Sequence, residues 1–517
     1  MNTARTLVAR TSSTARCHAK FTQLIALVGI LLLAFAVRVF DVERMPPFVH
    51  WDEVNQAQQP LTILSGEVPL LGVGYNGNPN LTFFQSAPYL LFGNNLWALR
   101  ITSALWSVLA IAVAYFGVTQ MFGVRVAILA TLLMASAHVL IHFGRAGMNV
   151  LGAIPSSFLA VGLFLKAQRH QRAWLFGLAG AALALNLYEY VAARAVLFGV
   201  GALWLMSLPR SRRDWPRVAR NTLWLAAGFS VAAAPVVWWY VENPQDLMSR
   251  AQILSVFGEW GARVNQSLYG TVDTPTLLMF QTLRSFGGFV MVSDTSPNYR
   301  IAAPLLDVGT TMLCMSGLIV AWRRQPKLTV ALLVMMAAGL LAGAILLIEP
   351  PTSPHYIVLI PFAIVFAAVC LDWMVKPVGW IWLGMILIGI CLLNLYLYFV
   401  YYPEHGAWYS LETDVGLFVL DTRGCCTVWY IGHPEETPRQ ISAFVAAPTP
   451  IRYLPDVDQV RSELNPTQSR PAIVIVPEET AVDVLSRLRE WFPNGVEQSY
   501  LDRGRVMFRS YTMSAAR

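Results

Sequence analysis

The chain has 517 residues, 56% of them hydrophobic and 13% charged, with a mean hydropathy of +0.51. Soluble domains carry about 25% charged residues, so this deficit excludes a disordered chain and argues against a soluble enzyme. The 37 basic and 30 acidic residues leave a formal charge of +7. In a chain this apolar, the excess reads as basic loops facing anionic lipid, with no nucleic acid as partner.

About 20 apolar residues suffice to cross the hydrocarbon core. The first such stretch, residues 22–40, is too long and uniformly apolar for a secretory h-region, and no small-residue cleavage site follows it. It reads as a retained signal anchor. Further spans are predicted at residues 97–122, 124–143, 148–165, 173–188, 192–208, 222–241, 301–322, 328–348, 356–374 and 378–400, which makes about eleven in all. Residues 276–292 are apolar but broken by Gln281, Arg284 and a Gly pair, and read as an interfacial helix.

Lys and Arg in short loops set the orientation. Arg5, Arg10, Arg16 and Lys20 precede the first span. Alternation then puts Lys166, Arg169, Arg172, Arg210, Arg212, Arg213, Arg217, Arg220, Arg323, Arg324, Lys327 and Lys376 on the same side. The N-terminus is expected in the cytoplasm of a plasma (inner) membrane, and residues 41–96, 242–300 and 401–517 outside it. The tail loses the apolar runs. Residues 427–431, 472–476 and 505–511 read as strands, and 481–492 as an amphipathic helix with Val482, Val484, Leu485, Leu488 and Trp491 on one side. The expected fold class is mainly α: a polytopic transmembrane domain over residues 1–400 and a small extracytoplasmic α/β domain over 401–517. The six cysteines have no metal-type spacing, and the adjacent Cys425 and Cys426 are poorly placed to bridge each other.

The first outer segment is the most informative. It reads His50-Trp51-Asp52-Glu53, then Gly66-Glu67-Val68-Pro69, then Asn76-Gly77-Asn78-Pro79-Asn80-Leu81, with turn-forming residues throughout. A carboxylate half desolvated at a membrane surface has a raised pKa and can accept a proton. An acid pair by itself more often solvates a loop or caps a helix. Basic and aromatic groups also fall at outer helix ends: Arg145 after the third span, Tyr188, Tyr190 and Arg194 between the fifth and sixth, and His355 and Tyr356 at the start of the tenth. Several cations on one face can hold a lipid phosphate through charge-assisted bonds; singly, each is as well explained by snorkelling to headgroups. Arg38 and Arg100 are assigned mainly to snorkelling.

Taken together, these features fit one reaction. A carboxylate takes the proton of an acceptor hydroxyl, which attacks the anomeric carbon of a lipid-phosphate-linked sugar. Phosphate is a good leaving group, so one base and one phosphate clamp suffice, and a single displacement inverts the anomeric centre. Two other readings stay open: a transporter or flippase of lipid-linked saccharide, and a non-catalytic assembly factor. A transporter needs ionisable groups at span centres, and here those centres are almost free of charge.

The run Pro46-Pro47-Phe48-Val49-His50-Trp51-Asp52-Glu53, with Asn78-Pro79-Asn80-Leu81, Phe143-Gly144-Arg145, Tyr188-Glu189-Tyr190-Val191-Ala192-Ala193-Arg194 and Ser353-Pro354-His355-Tyr356, resembles the GT-C membrane glycosyltransferases. The similarity is to the branch of dolichyl-phosphate-mannose protein mannosyltransferases and the lipid A aminoarabinose transferase, and it covers nearly the whole chain. The resemblance implies a catalytic role for Asp52 with Glu53 as its partner, and places Arg145 in the second outer loop. Relatives often carry an acid shortly after that Arg; here Met148-Asn149 follows. No cofactor is therefore expected, and a divalent cation is not favoured. The implied partners are a polyprenyl-phosphate sugar donor, a lipid, glycan or protein acceptor, and the membrane. Sequons at Asn80 and Asn265 fall in outer segments.

Overall fold

A computed structural model describes residues 2–67, 91–209, 211–245, 252–271, 273–297, 299–406, 410–432, 435–463, 470–502 and 504–514. The Asn76–Leu81 motif and the Asn80 sequon lie outside them. Helices occupy each of the predicted spans. Among the described residues seven are long and apolar enough to cross a membrane: Phe21–Val39, Leu96–Phe122, Asn149–His170, Trp215–Glu242, Pro326–Ile345, Leu359–Val378 and Trp380–His405. Three shorter apolar helices, Val124–Ser136, Ala173–Leu185 and Val191–Met206, fill further predicted positions. The eighth is taken by Val308–Arg324. Only 17% of the first span's most apolar window is buried inside the protein, and Phe21, Leu24, Ile25, Leu32 and Leu33 are exposed. A surface of that kind is stable only against lipid, so the chain is a multi-pass membrane protein.

Two predicted spans are corrected locally by polar groups. The helix of the eighth starts at Val308, not at residue 301, because the Asp307 side chain caps it, accepting from the Thr310 N–H at 2.9 Å. The third is broken at Ala137, and the His138 N–H freed there is accepted by Asn394 Oδ1 at 3.0 Å. Helix pairs approach most closely at small residues. A Cβ on Gly180 would overlap the Leu225 carbonyl, and one on Gly228 the Gly177 carbonyl, so the Ala173–Leu185 and Trp215–Glu242 helices pack backbone to backbone.

One end of the bundle gathers the basic residues that alternation places together. Arg169 bonds the Gln120 carbonyl, Lys327 the Met206 carbonyl, and Arg324 pairs with Asp372. The other end carries the C-terminal domain. The last helical run continues through Tyr402–His405, and the domain's first helix is Leu411–Asp421. Its five-stranded sheet contains β1 (Thr427–Ile431), β2 (Ile451–Leu454), β3 (Ala472–Pro477), β4 (Val496–Asp502) and β5 (Arg505–Met513), in the order β2-β1-β3-β5-β4. β1 is parallel to β2 and β3; β5 is antiparallel to β3 and β4. The three predicted strands are present. The predicted amphipathic helix is Ala481–Trp491, but its buried stripe is Ala481, Val484, Leu485 and Leu488. Val482 is 81% exposed, being about 100° round the helix from Ala481.

The domain sits on the segment that follows the first span. Arg44 pairs with Asp421 at 3.0 Å, and the Val49 N–H donates to Thr413 Oγ1 at 3.1 Å. Val54, Ala57, Leu96 and Leu99 pack with Ile441, Phe444 and Val445 of the domain.

Candidate active site

Asp52 and Glu53 open the helix Trp51–Leu64, where the helix dipole favours carboxylates. Beyond that shared position their surroundings diverge. Glu53 is 2% exposed. It accepts from Arg100 Nε at 3.2 Å and from the Gly147 N–H at 2.8 Å. Its oxygens thus tie the first outer segment to the third span's end. Asp52 keeps 24% of its side chain exposed, with Oδ2 3.3 Å from His50 Nδ1. The same Nδ1 lies 3.1 Å from the Asp52 N–H. A neutral His50 accepts that N–H and faces Oδ2 with its lone pair; a protonated His50 donates to Oδ2 instead.

Arg38, Arg100 and Arg145 are fully buried, so the snorkelling expected of Arg38 and Arg100 does not occur. Each guanidinium collects backbone carbonyls where the first span ends. Arg38 takes those of Ala34, Ala135 and Leu140, and its Nε donates to Ser107 at 2.6 Å. Arg100 takes those of Val42, Glu43, Pro46 and Phe48. Arg145 takes those of Val37, Phe40, Asp41 and Met45. A chain that leaves a helix and turns back has orphan carbonyls, and five-donor guanidinium forks satisfy them in bulk. Arg145, expected at a lipid phosphate, is instead part of this clamp.

The remaining expected residues form a second cluster. The rings of Tyr190 and His355 stack at 6.1 Å between centroids. Arg194 bonds the Tyr240 hydroxyl at 2.9 Å, and Tyr188 donates to the Ala232 carbonyl at 2.7 Å, so both meet the Trp215–Glu242 helix. Tyr356 points inward and donates to the Ser285 carbonyl. Two residues passed over in the sequence hold this cluster. Asp294, 3% exposed, accepts from the Ser353 N–H and hydroxyl and from the N–H groups of Ser296 and Arg300, tying its loop to the turn that presents His355. Burial pushes its pKa up to about 6 against those bonds. Its signal was the turn-rich run Ser293-Asp294-Thr295-Ser296-Pro297. Glu189, 6% exposed and without a hydrogen-bond partner among the described residues, presses on Gly152, where any Cβ would overlap its carboxylate. Burial raises its pKa to about 8.

The two clusters share one face and are joined by the 294–300 loop. Pro297 of that loop, with Phe48, His50 and Trp51 and with Ser410 and Glu412 of the C-terminal domain, lines a cavity of about 270 Å³ whose wall ends one residue before Asp52 in the chain. A second, apolar groove of about 480 Å³ opens between the first and last span helices, lined by Val37, Phe40, Leu392 and Phe399 among others. Among the described residues no group of three or more His, Cys, Asp or Glu side chains is placed to hold a metal ion. Asn265 is 1% exposed and donates to the Val256 carbonyl, so the side chain that a glycan would join is buried.

This architecture, with the first outer segment and a small α/β domain closing one end of a helical bundle, is similar in fold to a solved ArnT structure. The family model for dolichyl-phosphate-mannose-protein mannosyltransferases matches residues 76–239. ArnT from Cupriavidus metallidurans bound to undecaprenyl phosphate superposes with a TM-score of 0.52 at 14% identity, over 95% of this chain and 97% of that one. The Archaeoglobus fulgidus oligosaccharyltransferase in its apo form gives a TM-score of 0.48 at 13% identity, over 91% of this chain and 71% of that one. No curated protein matches the chain.

Proposed function

We propose that the protein transfers a sugar from a polyprenyl-phosphate donor to an acceptor hydroxyl on the extracytoplasmic face of a plasma (inner) membrane, with inversion and with Asp52 as the base. The N-terminus is cytoplasmic in this reading, and the face carrying the C-terminal domain is outside. The carrying observation is the division within the acid pair: Glu53 is buried against Arg100 and Gly147, whereas Asp52 keeps 24% of its side chain exposed, next to His50 and one residue along the chain from a cavity wall. A base needs a lone pair within reach of the acceptor proton, and partial desolvation to sharpen it. The fold shared with ArnT, whose structure holds undecaprenyl phosphate, supports a lipid-phosphate donor.

The acceptor hydroxyl gives its proton to Asp52 and its oxygen bonds to the anomeric carbon. The bond from that carbon to the phosphate oxygen breaks, and the electron pair leaves with the lipid phosphate. Arg194, Tyr190 and His355 stabilise the departing charge, with Arg194 supplying the cation. No step is routed through a metal. The test is transfer in vitro from a panel of polyprenyl-phosphate sugars in reconstituted membranes. Product of inverted configuration is expected with the wild type, and about 10²–10⁴-fold less of it with Asp52→Asn. Full turnover in that variant would remove Asp52 from the mechanism.

A further inference from the structure

The C-terminal domain carries a second cavity, of about 610 Å³, away from the acid pair. It opens at the leading ends of β1 and β2. Its walls include Arg423, Arg452 and Arg470, with Thr449 and the apolar Leu420 and Val428. Among the described residues, Arg452 is the one of the three arginines with an ion-pair partner, Glu463 at 3.4 Å. Among the described residues the Arg423 and Arg470 side chains have no hydrogen-bond or ion-pair partner. Three like charges converging on one cavity with a single counter-charge repel one another unless an anion lies between them. Arg423 is held there at φ 50 and followed by Gly424 at φ 68, a tight left-handed turn that brings it to the rim.

The cavity is also linked to the end of the first span. Leu420 on its wall precedes Asp421, which pairs with Arg44 in the turn directly after the first span. We infer that this pocket binds a phosphate group, presented by a lipid headgroup at the leaflet surface or by a soluble phosphate. Planar guanidinium forks match phosphate oxygens two at a time, the hydroxyl of Thr449 adds a further donor, and the apolar wall strengthens the charge pairing. The inference does not depend on sugar transfer, and the binding test below stands if Asp52 proves non-catalytic.

Cys425 is exposed and lies between two residues of the pocket wall, Gly424 and Cys426, so its alkylation reports occupancy. The full chain is placed in phosphatidylcholine nanodiscs, and maleimide labelling of Cys425 is followed by peptide mass spectrometry. One arm adds phosphatidic acid to the bilayer and the other adds inorganic phosphate. Labelling is expected to slow about tenfold when probe is present at roughly ten times its Kd, because protection scales as one plus ligand over Kd. Protection by the lipid alone assigns a headgroup site; equal protection by inorganic phosphate assigns a soluble source. The R423A/R470A variant should lose protection, and R423K/R470K, which keeps the charges, should retain part of it. The inference fails if neither probe protects the wild type, a result that does not rely on any variant folding. It also fails if R423A/R470A melts like the wild type and is protected as strongly.

Discussion

Where the first span ends, the guanidinium groups of Arg38, Arg100 and Arg145 are fully buried and bonded to a ring of backbone carbonyls. In the C-terminal domain Arg423, Arg452 and Arg470 border an open cavity, with one acid among them. The same contrast separates the adjacent acids: Glu53 sits inside the arginine clamp, Asp52 outside it. A charge whose hydrogen-bonding capacity is met within the protein builds structure. A charge that keeps part of its side chain exposed is within reach of a ligand.

The sharpest way to break this contrast is to mutate the two acids separately. Asp52→Asn should lower transfer by about 10²–10⁴-fold, the range of a lost general base, with an unchanged melting temperature. Arg100→Ala should instead act on stability. It leaves Glu53 buried without its cation, at a cost of about 3–5 kcal/mol, read as a lower melting temperature in detergent. If Arg100→Ala melts like the wild type yet loses transfer, the clamp is part of the chemistry and the division is wrong.

A smaller effect is expected at the second cluster. Arg194→Ala should raise the donor KM by roughly 10- to 100-fold, equivalent to a charged hydrogen bond of about 1.5–3 kcal/mol, and leave the acceptor KM unchanged. An equal change in both would place Arg194 in general packing against Tyr240.

A pH-dependent effect is expected at Glu189. Its folded pKa of about 8 lies above the ordinary 4.5, because burial disfavours the ionised form. The raised value means that its contribution to stability is complete below the ordinary pKa and is lost as pH rises through about 8. Gln is neutral at every pH. Glu189→Gln should therefore melt above the wild type at about pH 9 and close to it at about pH 4. A constant difference across pH would show that Glu189 does not titrate with unfolding.

Much of the bundle was legible from residue order because lipid imposes a length and composition on each crossing. The β1, β3 and β5 strands were legible too, from continuous β-branched and aromatic runs. β2 has only four residues and β4 is mostly exposed and polar, so neither carries such a run. The start of the eighth span and the break in the third were hidden, since both depend on Asn394, distant in sequence from Asp307 and His138.

At the site, residue order singled out Asp52, Tyr190, Arg194 and His355 and set Glu53 and Arg145 beside them as equals. Sequence by itself determined the spans, the face on which the loops gather and the acid pair. Only the tertiary structure decided that Glu53 and Arg145 are locked into a buried clamp. Hydropathy and charge are properties of single residues and short windows. Whether a carboxylate or guanidinium has donors or acceptors to spare is a property of its three-dimensional neighbours, which here come from carbonyls up to 108 residues away.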